Sequence, residues 1–332
     1  MKILVTGGAG YIGSHTVKEL VKLGHQVLVY DNLSNGHKEA VNKKAKLVVG
    51  DLADSEKLNK AFKSFKPDAV VHFAAFIEVP ESVSNPGKYY FNNVCFSVNL
   101  LETMVKNNVK YIIFSSSAAV YGEPKKIPIK ETDPTIPVNP YGESKLMFEH
   151  ILRDYDIAYG IKSVSLRYFN AAGDSSDGEI GQDPKHLSHI IPIVIEAAMG
   201  KRKSFTIFGS DYATPDGTCV RDYIHVEDLA SAHVLALKYL IKNKKTDVFN
   251  LGKGFGNSNK EIVDAVKKAS DIDFKVEYGT RRAGDPARLI ADSSKAKRIL
   301  KWKPKYDKID RIVETAWKWH KNHPDGYEKN VE

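Results

Sequence analysis

The chain has 332 residues, of which 42% are apolar and 27% charged, and its formal net charge is +8. These values are typical of a globular protein with two domains, or with one large domain and a smaller partner, and they exclude a disordered chain. Its apolar stretches are far shorter than the roughly 20 residues that cross a bilayer, so we expect no membrane partner.

The two cysteines and the start of the chain bear on its location. A β-branched run directly follows Met1-Lys2, and two cysteines cannot form a disulfide framework. We therefore expect a cytoplasmic protein without an export signal. The lysines are scattered through helix-like segments, as on a solvated basic surface, so no nucleic-acid partner is predicted. The histidines show no metal-ligand spacing, so no metal is expected.

Short β-rich runs alternate with helical patterns through the first half of the chain. The predicted strands are 2–6, 26–30, 45–49, 69–73, 111–114 and 162–166. Between the first two, apolar residues recur at helical spacing, and Gly24 follows them as a C-cap glycine would. Repeated βα order predicts an α/β fold built on a doubly wound parallel sheet of the Rossmann type.

The pattern becomes less regular after about residue 170. Segments rich in glycine and aspartate, at 173–178 and 209–212, flank a helix near 190–198. We assign 1–171 to a dinucleotide-binding Rossmann domain and 172–332 to a smaller, mixed α/β domain that binds the substrate. The strand-like runs at 224–226 and 248–251 are expected to return to the main sheet, so the two domains interleave.

A glycine-rich segment, TGGAGYIG, separates the first strand from the first helix. It permits a tight turn and close approach of the backbone to a pyrophosphate at a helix N-terminus. The residues expected at the pyrophosphate are Gly7, Gly10, Tyr11, Ile12 and Gly13. Asp31 follows the second strand, where a carboxylate accepts hydrogen bonds from an adenosine ribose. No arginine directly follows Asp31 to hold a 2′-phosphate, so the predicted cofactor is NAD, with Asp51 as an adenine contact.

Tyr141 and Lys145 lie four residues apart at the start of a predicted helix, so they share one of its faces. Positive charge from Lys145 and from an oxidised nicotinamide favours the phenolate, which predicts that Tyr141 acts as a base near neutral pH. The hydroxyls of Ser115 and Ser117 end a buried strand, where ligands bind in open α/β sheets. Together these groups predict proton abstraction coupled to hydride transfer.

Ordered motifs along nearly the whole chain resemble those of the sugar-nucleotide epimerases in the extended short-chain dehydrogenase/reductase family. They read TGGAGYIGSH, DNLSNG, GDL, HFAA, YYFNNV, SSSAAVYG, PYGESK, RYFNAAG, FGSDYATPDGTCVRDYIHVEDLA and RRAGDPARLIAD. The resemblance implies NAD-dependent interconversion of UDP-glucose and UDP-galactose by transient oxidation at C4 of the sugar. It further implies a UDP-hexose as the substrate, UDP-GlcNAc and UDP-GalNAc as an additional pair, and a homodimer.

The resemblance also implies roles for individual residues. Tyr141 would be the acid-base group, Lys145 would contact the nicotinamide ribose and Ser117 the sugar hydroxyl. Further implied cofactor contacts are Asn32, Leu52, Phe73, Ala74, Asn93, Ser115 and Tyr168. Implied substrate contacts beyond Ser117 and Tyr141 are Asn170, Arg221, Arg282 and His189 at the diphosphate, Asp285 at the uridine ribose, Phe208 at the uracil, and Leu289 at the sugar.

Several positions distinguish this chain from relatives. Ala75 and Ile77 replace a glycine and a lysine that some epimerases have near the cofactor, and His189 stands where many have an asparagine. Ala118 and Ala119 stand where sugar-nucleotide dehydratases carry an Asp-Glu pair. Two methyl groups cannot perform acid-base chemistry, so the reaction is expected to stop at epimerisation.

Two other functions stay open. A UDP-glucuronate epimerase or decarboxylase would need a cation aimed at the sugar carboxylate, and the sequence assigns none. A non-catalytic NAD-binding sensor would not need Tyr141 and Lys145, both of which this chain keeps.

Overall fold

The structure, a computed structural model, describes residues 1–183, 188–282 and 286–327. Its strands are β1 (Lys2–Thr6), β2 (Gln26–Asp31), β3 (Lys46–Val49), β4 (Ala69–His72), β5 (Tyr111–Ser117), β6 (Lys162–Tyr168), β7 (Asn170–Ala172), β8 (Phe205–Phe208), β9 (Val220–Arg221), β10 (Tyr223–His225), β11 (Asp247–Leu251), β12 (Asn257–Ser258), β13 (Val276–Gly279) and β14 (Arg288–Leu289). Its α-helices are α1 (Tyr11–Lys22), α2 (Ser55–Phe65), α3 (Val79–Ser84), α4 (Pro86–Tyr90), α5 (Phe96–Lys106), α6 (Pro140–Tyr159), α7 (Ile190–Ala198), α8 (Val226–Asn243), α9 (Asn259–Ser270), α10 (Ser294–Ile299) and α11 (Ile309–Asn322). Short 3₁₀ turns cover Lys38–Ala40 and Ala118–Tyr121, and a π-helical turn covers Phe91–Cys95.

Seven strands form one parallel sheet in the order β3-β2-β1-β4-β5-β6-β11. The chain runs outward from β1 to β3 and then crosses to the other side of β1, where β4, β5 and β6 follow in turn. The direction of winding therefore reverses between β1 and β4. In open parallel sheets, a ligand cleft forms at the carboxyl ends of the strands beside such a switch point. The predicted doubly wound Rossmann sheet is confirmed.

Helices cover both faces of the sheet, which explains why its strands read as continuous apolar runs. Val27 and Val29 face a layer formed with α1 and α8, whereas Leu28 and Tyr30 face a layer formed with α2, α5 and α6. None of these four side chains is more than 4% exposed. This packed core holds the strand ends in fixed positions.

The strand-like run at 248–251 is β11, which pairs in parallel with β6 at the edge of the main sheet. The run at 224–226 overlaps β10 and ends at the first residue of α8, and β10 pairs with β7 in a separate two-stranded sheet. This differs from the expectation that it returns to the main sheet. β6 already has β5 along one edge and β11 along the other, so neither edge of β6 is open to β10.

The later part of the chain packs around a core of its own. Ile191 and Val194 on α7, Ile262 and Val266 on α9, and Ile312 on α11 are buried together. Small sheets of two or three strands accompany these helices. In the part of the chain that the structure describes, no helix combines the length and the apolarity that crossing a membrane requires. The same residues contain no group of three or more His, Cys, Asp or Glu side chains that could hold a metal ion.

Candidate active site

A cleft of about 1000 Å³ opens at the carboxyl ends of the sheet strands, around the switch point between β1 and β4. A smaller cavity of about 200 Å³ adjoins it, and Asn170, His189 and Arg282 line both. The larger cavity is at the upper end of the roughly 300–1,000 Å³ that is typical of ligand pockets. There is therefore room for a dinucleotide together with part of a second ligand.

The glycine-rich turn at the end of β1 forms one wall of the cleft. Gly7 has a φ of +70°, and a Cβ on it would lie 2.5 Å from the Ala74 amide nitrogen. A Cβ on Gly13 would lie 2.1 Å from the Gly7 carbonyl oxygen. Because neither position has room for a side chain, the backbone closes into a tight turn and α1 begins at the cleft. The first amides of a helix lack intrahelical partners and suit a pyrophosphate. The predicted residues that line this wall are Gly7, Gly10, Tyr11, Ile12 and Gly13.

A pair of carboxylates lies at the ends of β2 and β3. Asp31 accepts hydrogen bonds from the backbone amides of Ala9 and Leu33, each at 2.9 Å. Burial raises the pKa of its carboxyl, and these two hydrogen bonds lower it. Asn32 donates to Asp51 at 2.7 Å. Asp31, Asn32, Asp51 and Leu52 all line the cleft. With the crowded glycines, they fit the adenosine and pyrophosphate of NAD.

Asn93, which is expected to contact the cofactor, lies one residue after Asn92, which lines the cleft. It lies behind the loop that carries Phe73 and Ala74, and it is 3% exposed. Its amide oxygen accepts from the Phe76 amide at 2.8 Å, and its amide nitrogen donates to the Phe76 carbonyl at 3.0 Å and to Ser144 at 3.1 Å. Asn93 therefore holds this loop against α6, while Phe73 and Ala74 themselves line the cleft.

Helix α6 presents Tyr141 and Lys145 to the cleft. Its start is capped by Asn139, whose side chain accepts from the Gly142 amide at 2.9 Å. The Lys145 ammonium donates to the Ser115 carbonyl at 2.9 Å and lies 5.8 Å from the centre of the Tyr141 ring. One strand end and one helix thus bring the predicted phenol, ammonium and hydroxyls together.

Burial dominates the titration of these groups. It lowers the pKa of Lys145 to about 7, and the charge of Glu149 acts in the opposite direction. Burial raises the pKa of Tyr141, although a hydrogen bond with Ser117 lowers it. The protein's own groups therefore keep the phenol protonated at neutral pH. The positive charge of an oxidised nicotinamide, on which the expected phenolate also depends, would act against this effect of burial.

Tyr168 and Ser115 form the opposite side of the same site. The Tyr168 hydroxyl and the Ser115 hydroxyl are hydrogen-bonded, and burial raises the pKa of Tyr168. Beyond them, the 3₁₀ turn places the methyl groups of Ala118 and Ala119 in the lining of the cleft. The positions at which a dehydratase would need an acid and a base therefore carry neither.

The predicted substrate contacts lie where the two cavities meet. Asn170 donates to the Asp222 carbonyl at 3.2 Å, and Leu289 lies beside Arg221 in the pairing of β14 with β9. The Arg282 guanidinium stacks over the Phe208 ring, 4.1 Å from its centre. Phe208 and Arg221 line the smaller cavity, Leu289 the larger one, and Arg282 both. Asp285 lies outside the described residues.

His189 lines both cavities and is half-buried. Burial lowers the pKa of its imidazole to about 4, so the ring is neutral at physiological pH. Its Nδ1 lies 2.6 Å from the Gln182 side-chain nitrogen, and the backbone amide of Gln182 donates to the Asp174 carboxylate at 2.8 Å. Gln182 is a residue that sequence reasoning missed, because its contact with His189 exists only in the folded chain.

The site holds a phenol and an ammonium together beside a dinucleotide cleft. These groups can transfer a proton to or from a substrate while a hydride passes between the substrate and the dinucleotide. The fold and the site together define a protein of the short-chain dehydrogenase/reductase class.

Comparison with known proteins gives the family. Residues 3–252 match the model of the NAD dependent epimerase/dehydratase family, and the chain belongs to that family. A UDP-glucose 4-epimerase of Lactobacillus helveticus is 56% identical over 328 residues, which is 99% of each chain. A crystal structure of a UDP-glucose 4-epimerase, 49% identical, superposes with a TM-score of 0.97 over 99% of this chain and 100% of that one. The UDP-Glc/GlcNAc 4-epimerase of Campylobacter jejuni, also 49% identical, gives 0.86 over 97% and 99%. The predicted family and its NAD dependence are confirmed.

Proposed function

We propose that this protein interconverts UDP-glucose and UDP-galactose by transient oxidation at C4 of the sugar, with NAD as the cofactor. One observation carries the proposal: Ser117, Tyr141 and Lys145 meet in the dinucleotide cleft, while Ala118 and Ala119 beside them offer no further acid or base. Two relatives that are 56% and 54% identical over 99% and 98% of this chain are named UDP-glucose 4-epimerases.

The cofactor is held along the switch point. Amides at the start of α1 bind the pyrophosphate, and Asp31 accepts from the adenosine ribose. Lys145 and Tyr168 lie at the nicotinamide end, next to the carbonyl and hydroxyl of Ser115. When bound there, NAD would supply the hydride chemistry at C4 of the sugar that the side chains lack.

The side chains manage the proton. Ser117 orients the 4-hydroxyl of the sugar through a hydrogen bond, and Tyr141 removes its proton. The Lys145 ammonium, together with the positive charge that an oxidised nicotinamide would bring, stabilises the phenolate form of Tyr141 that accepts this proton. Tyr141 then returns the proton when the opposite configuration forms at C4. The reaction needs no water and no second acid, in agreement with the apolar neighbours at 118 and 119.

Epimerisation requires a firmly held nucleotide and a sugar that can turn over. Arg221, Arg282, Asn170 and the neutral His189 gather around the junction of the two cavities, where they bind the diphosphate. A guanidinium pairs well with phosphate oxygens in charge and geometry. Phe208, stacked under Arg282, provides a surface for the uracil. We keep Asp285 as the uridine-ribose contact on the resemblance alone.

The sugar end of the cleft is bounded by Leu289, which is partly buried against an apolar cluster that includes Val120 and Leu146. It brings neither a ring nor a hydroxyl to this wall. We therefore include UDP-GlcNAc and UDP-GalNAc among the substrates. The Campylobacter jejuni enzyme, whose name includes UDP-Glc and UDP-GlcNAc, has the same fold over nearly the whole chain.

Other parts of the proposal concern organisation. We propose 1–171, with β11, as the NAD domain and 172–332 as the substrate domain. We also propose a cytoplasmic homodimer. Large apolar side chains on and before the neighbouring helices α5 and α6 are exposed, namely Phe91 at 62%, Met147 at 39% and Ile157 at 80%. Exposed apolar side chains scattered singly are ordinary on a monomer, so the homodimer rests on the resemblance to the family.

The test uses purified protein with no added cofactor and a panel of UDP-sugars, followed by separation of the products. We expect NAD to copurify, and we expect UDP-galactose and UDP-glucose to interconvert. Conversion of UDP-glucuronate in their place would favour the glucuronate epimerase or decarboxylase. Retained NAD without any conversion would favour a sensor.

A further inference from the structure

A buried ion pair lies directly behind the proposed catalytic groups. Glu149 follows Lys145 by one helical turn on α6, and Arg167 precedes Tyr168 on β6. The Arg167 guanidinium contacts the Glu149 carboxylate twice, with Nε to Oε1 at 3.0 Å and Nη2 to Oε2 at 2.5 Å. The side chains are 7% and 8% exposed. This two-point contact fixes the orientation of both groups.

The same carboxylate is also bound to the strand that ends in the catalytic serine. Ser116 donates to Glu149 Oε1 at 2.5 Å, and it lies between Ser115 and Ser117 on β5. Ser116 and Arg167 are direct neighbours in the pairing of β5 with β6. Glu149 therefore joins one helix to two strands at the level where all three carry proposed site residues.

The pair continues into a polar network. Arg167 donates to the Tyr121 hydroxyl at 2.9 Å, which donates to Asn250 at 2.7 Å. A buried ion pair is weak evidence for stability, because apolar side chains of similar volume are often as stabilising. Its location therefore suggests that it serves the site.

We propose that Glu149 is a positioning residue for the reaction: it aligns α6 with the ends of β5 and β6, and it keeps the ammonium of Lys145 charged beside Tyr141. The proposal deepens the proposed function and rests on it, since it concerns how Lys145 supports Tyr141 in that reaction.

The surroundings of Lys145 support the electrostatic part. The titratable groups that face it are Tyr141 and Glu149 on its own helix and His72 on β4. β5 contributes the Ser115 carbonyl, and Tyr168 on β6 is bonded to the Ser115 hydroxyl. Burial lowers the pKa of His72 to about 3 and raises that of both tyrosines, so these groups are neutral. Glu149 is the anion in this set, and it opposes the effect of burial on Lys145.

The test compares Glu149→Gln with the charge-retaining Glu149→Asp in the full-length protein with its NAD. Without the carboxylate charge, Lys145 loses its proton at a lower pH. The alkaline limb of kcat for UDP-galactose is therefore expected to move down by about one pH unit in Glu149→Gln, or about tenfold in rate on that limb. It stays in place in Glu149→Asp. A limb that does not move in Glu149→Gln overturns the electrostatic part, whether or not the overall rate falls.

A second measurement does not depend on turnover. Lysine labelled with ¹³C at Cε reports each ammonium by NMR, and Lys145→Arg identifies the resonance that titrates near neutral pH. The midpoint of this titration is expected to fall in Glu149→Gln by the same number of pH units as the alkaline limb of kcat. An unchanged midpoint overturns the proposed effect on charge. A wild type that binds NAD but converts no UDP-hexose would instead refute the proposed function, and this titration would still report on Glu149.

The alignment of α6 with β5 and β6 is tested by a variant that changes no charge. This variant also keeps the proposal testable if Glu149→Gln does not fold. Ser116→Ala removes one donor to the carboxylate and leaves the ion pair. We expect kcat to fall by about 2- to 10-fold, the loss of one hydrogen bond, with KM and the alkaline limb unchanged. An unaltered kcat overturns the positioning part.

Discussion

Gly142 at the start of α6 is packed so closely against Ala119 that a Cβ on the glycine would lie 2.6 Å from the Ala119 carbonyl oxygen. The glycine stands next to Tyr141, and the alanine belongs to the turn that follows Ser117. This close contact brings the phenol and the hydroxyl of the proposed site together. It also explains, from packing, why the residue after Tyr141 has no side chain.

We predict that Gly142→Ala lowers kcat, because the new methyl group pushes the first turn of α6 away from the backbone of the 3₁₀ turn that follows β5. Overpacking of this kind typically costs about 1–3 kcal/mol, so the melting temperature should fall as well. Gly87→Ala is the matched control, since a Cβ on that helical glycine meets nothing within 4 Å. Equal rates in the two variants would show that the close contact does not position Tyr141.

Tyr141→Phe keeps the ring and removes the proposed acid-base group. Loss of a well-placed proton-transfer group costs about 10²- to 10⁴-fold in rate, and we expect kcat to fall within that range. NAD content and UDP affinity should stay as in the wild type, because neither depends on the hydroxyl. Rates are measured by product separation, and bound NAD by its release on denaturation. Near-normal turnover in the folded variant would refute the role of Tyr141.

The pH dependence of stability should report on His72. Its imidazole bonds Thr6 at 2.7 Å and Ser97 at 2.9 Å, and burial lowers its pKa from 6.5 to about 3. Between those values the unfolded chain binds the proton and the folded chain does not. The stabilisation is therefore complete above about pH 6.5 and is lost as the pH falls towards 3, at up to about 1.4 kcal/mol per pH unit.

Urea unfolding at several pH values between 7 and 5 measures this effect. The glutamine of His72→Gln does not titrate. The free energy of unfolding of this variant should therefore change less with pH than that of the wild type, by up to about 1.4 kcal/mol per pH unit. This difference in slope does not depend on how stable the variant is at pH 7. Parallel curves for wild type and variant would mean that His72 takes up its proton in the folded protein.

Features that depend on local sequence were predictable, whereas those that depend on long-range contacts were not. The glycine turn and Asp31 follow from spacing along a few dozen residues. The placement of β10 depends on β11 pairing with β6 and on β7 lying next to β10, and the contacts of Asn93 depend on Phe76 and Ser144, which only the fold brings near. Spacing put Lys145 beside Tyr141, but the extent of their burial, which sets both pKa values, cannot be read from spacing.

Leu289 raises the question of which sugars fit. It lines the larger cavity beside the proposed substrate residues, and its side chain packs against the cluster around Val120 and Leu146. A tyrosine there would add a ring and a hydroxyl to the wall of the pocket. A larger group on the sugar, such as the 2-acetamido group, would then have to displace neighbouring side chains.

We predict that the wild type converts UDP-GalNAc as well as UDP-galactose and that Leu289→Tyr discriminates against the acetamido sugar. Forcing side chains off their preferred rotamers typically costs about 1–3 kcal/mol, which corresponds to roughly tenfold or more in specificity. The measurement is the ratio of kcat/KM for the two substrates in each protein. Leu289→Ala serves as the control, because it enlarges the same wall and should leave the ratio close to that of the wild type. A wild type inactive on UDP-GalNAc refutes the open pocket. A ratio that the tyrosine leaves unchanged would instead assign the limit to another part of the wall, since the added ring would then not reach the acetamido group.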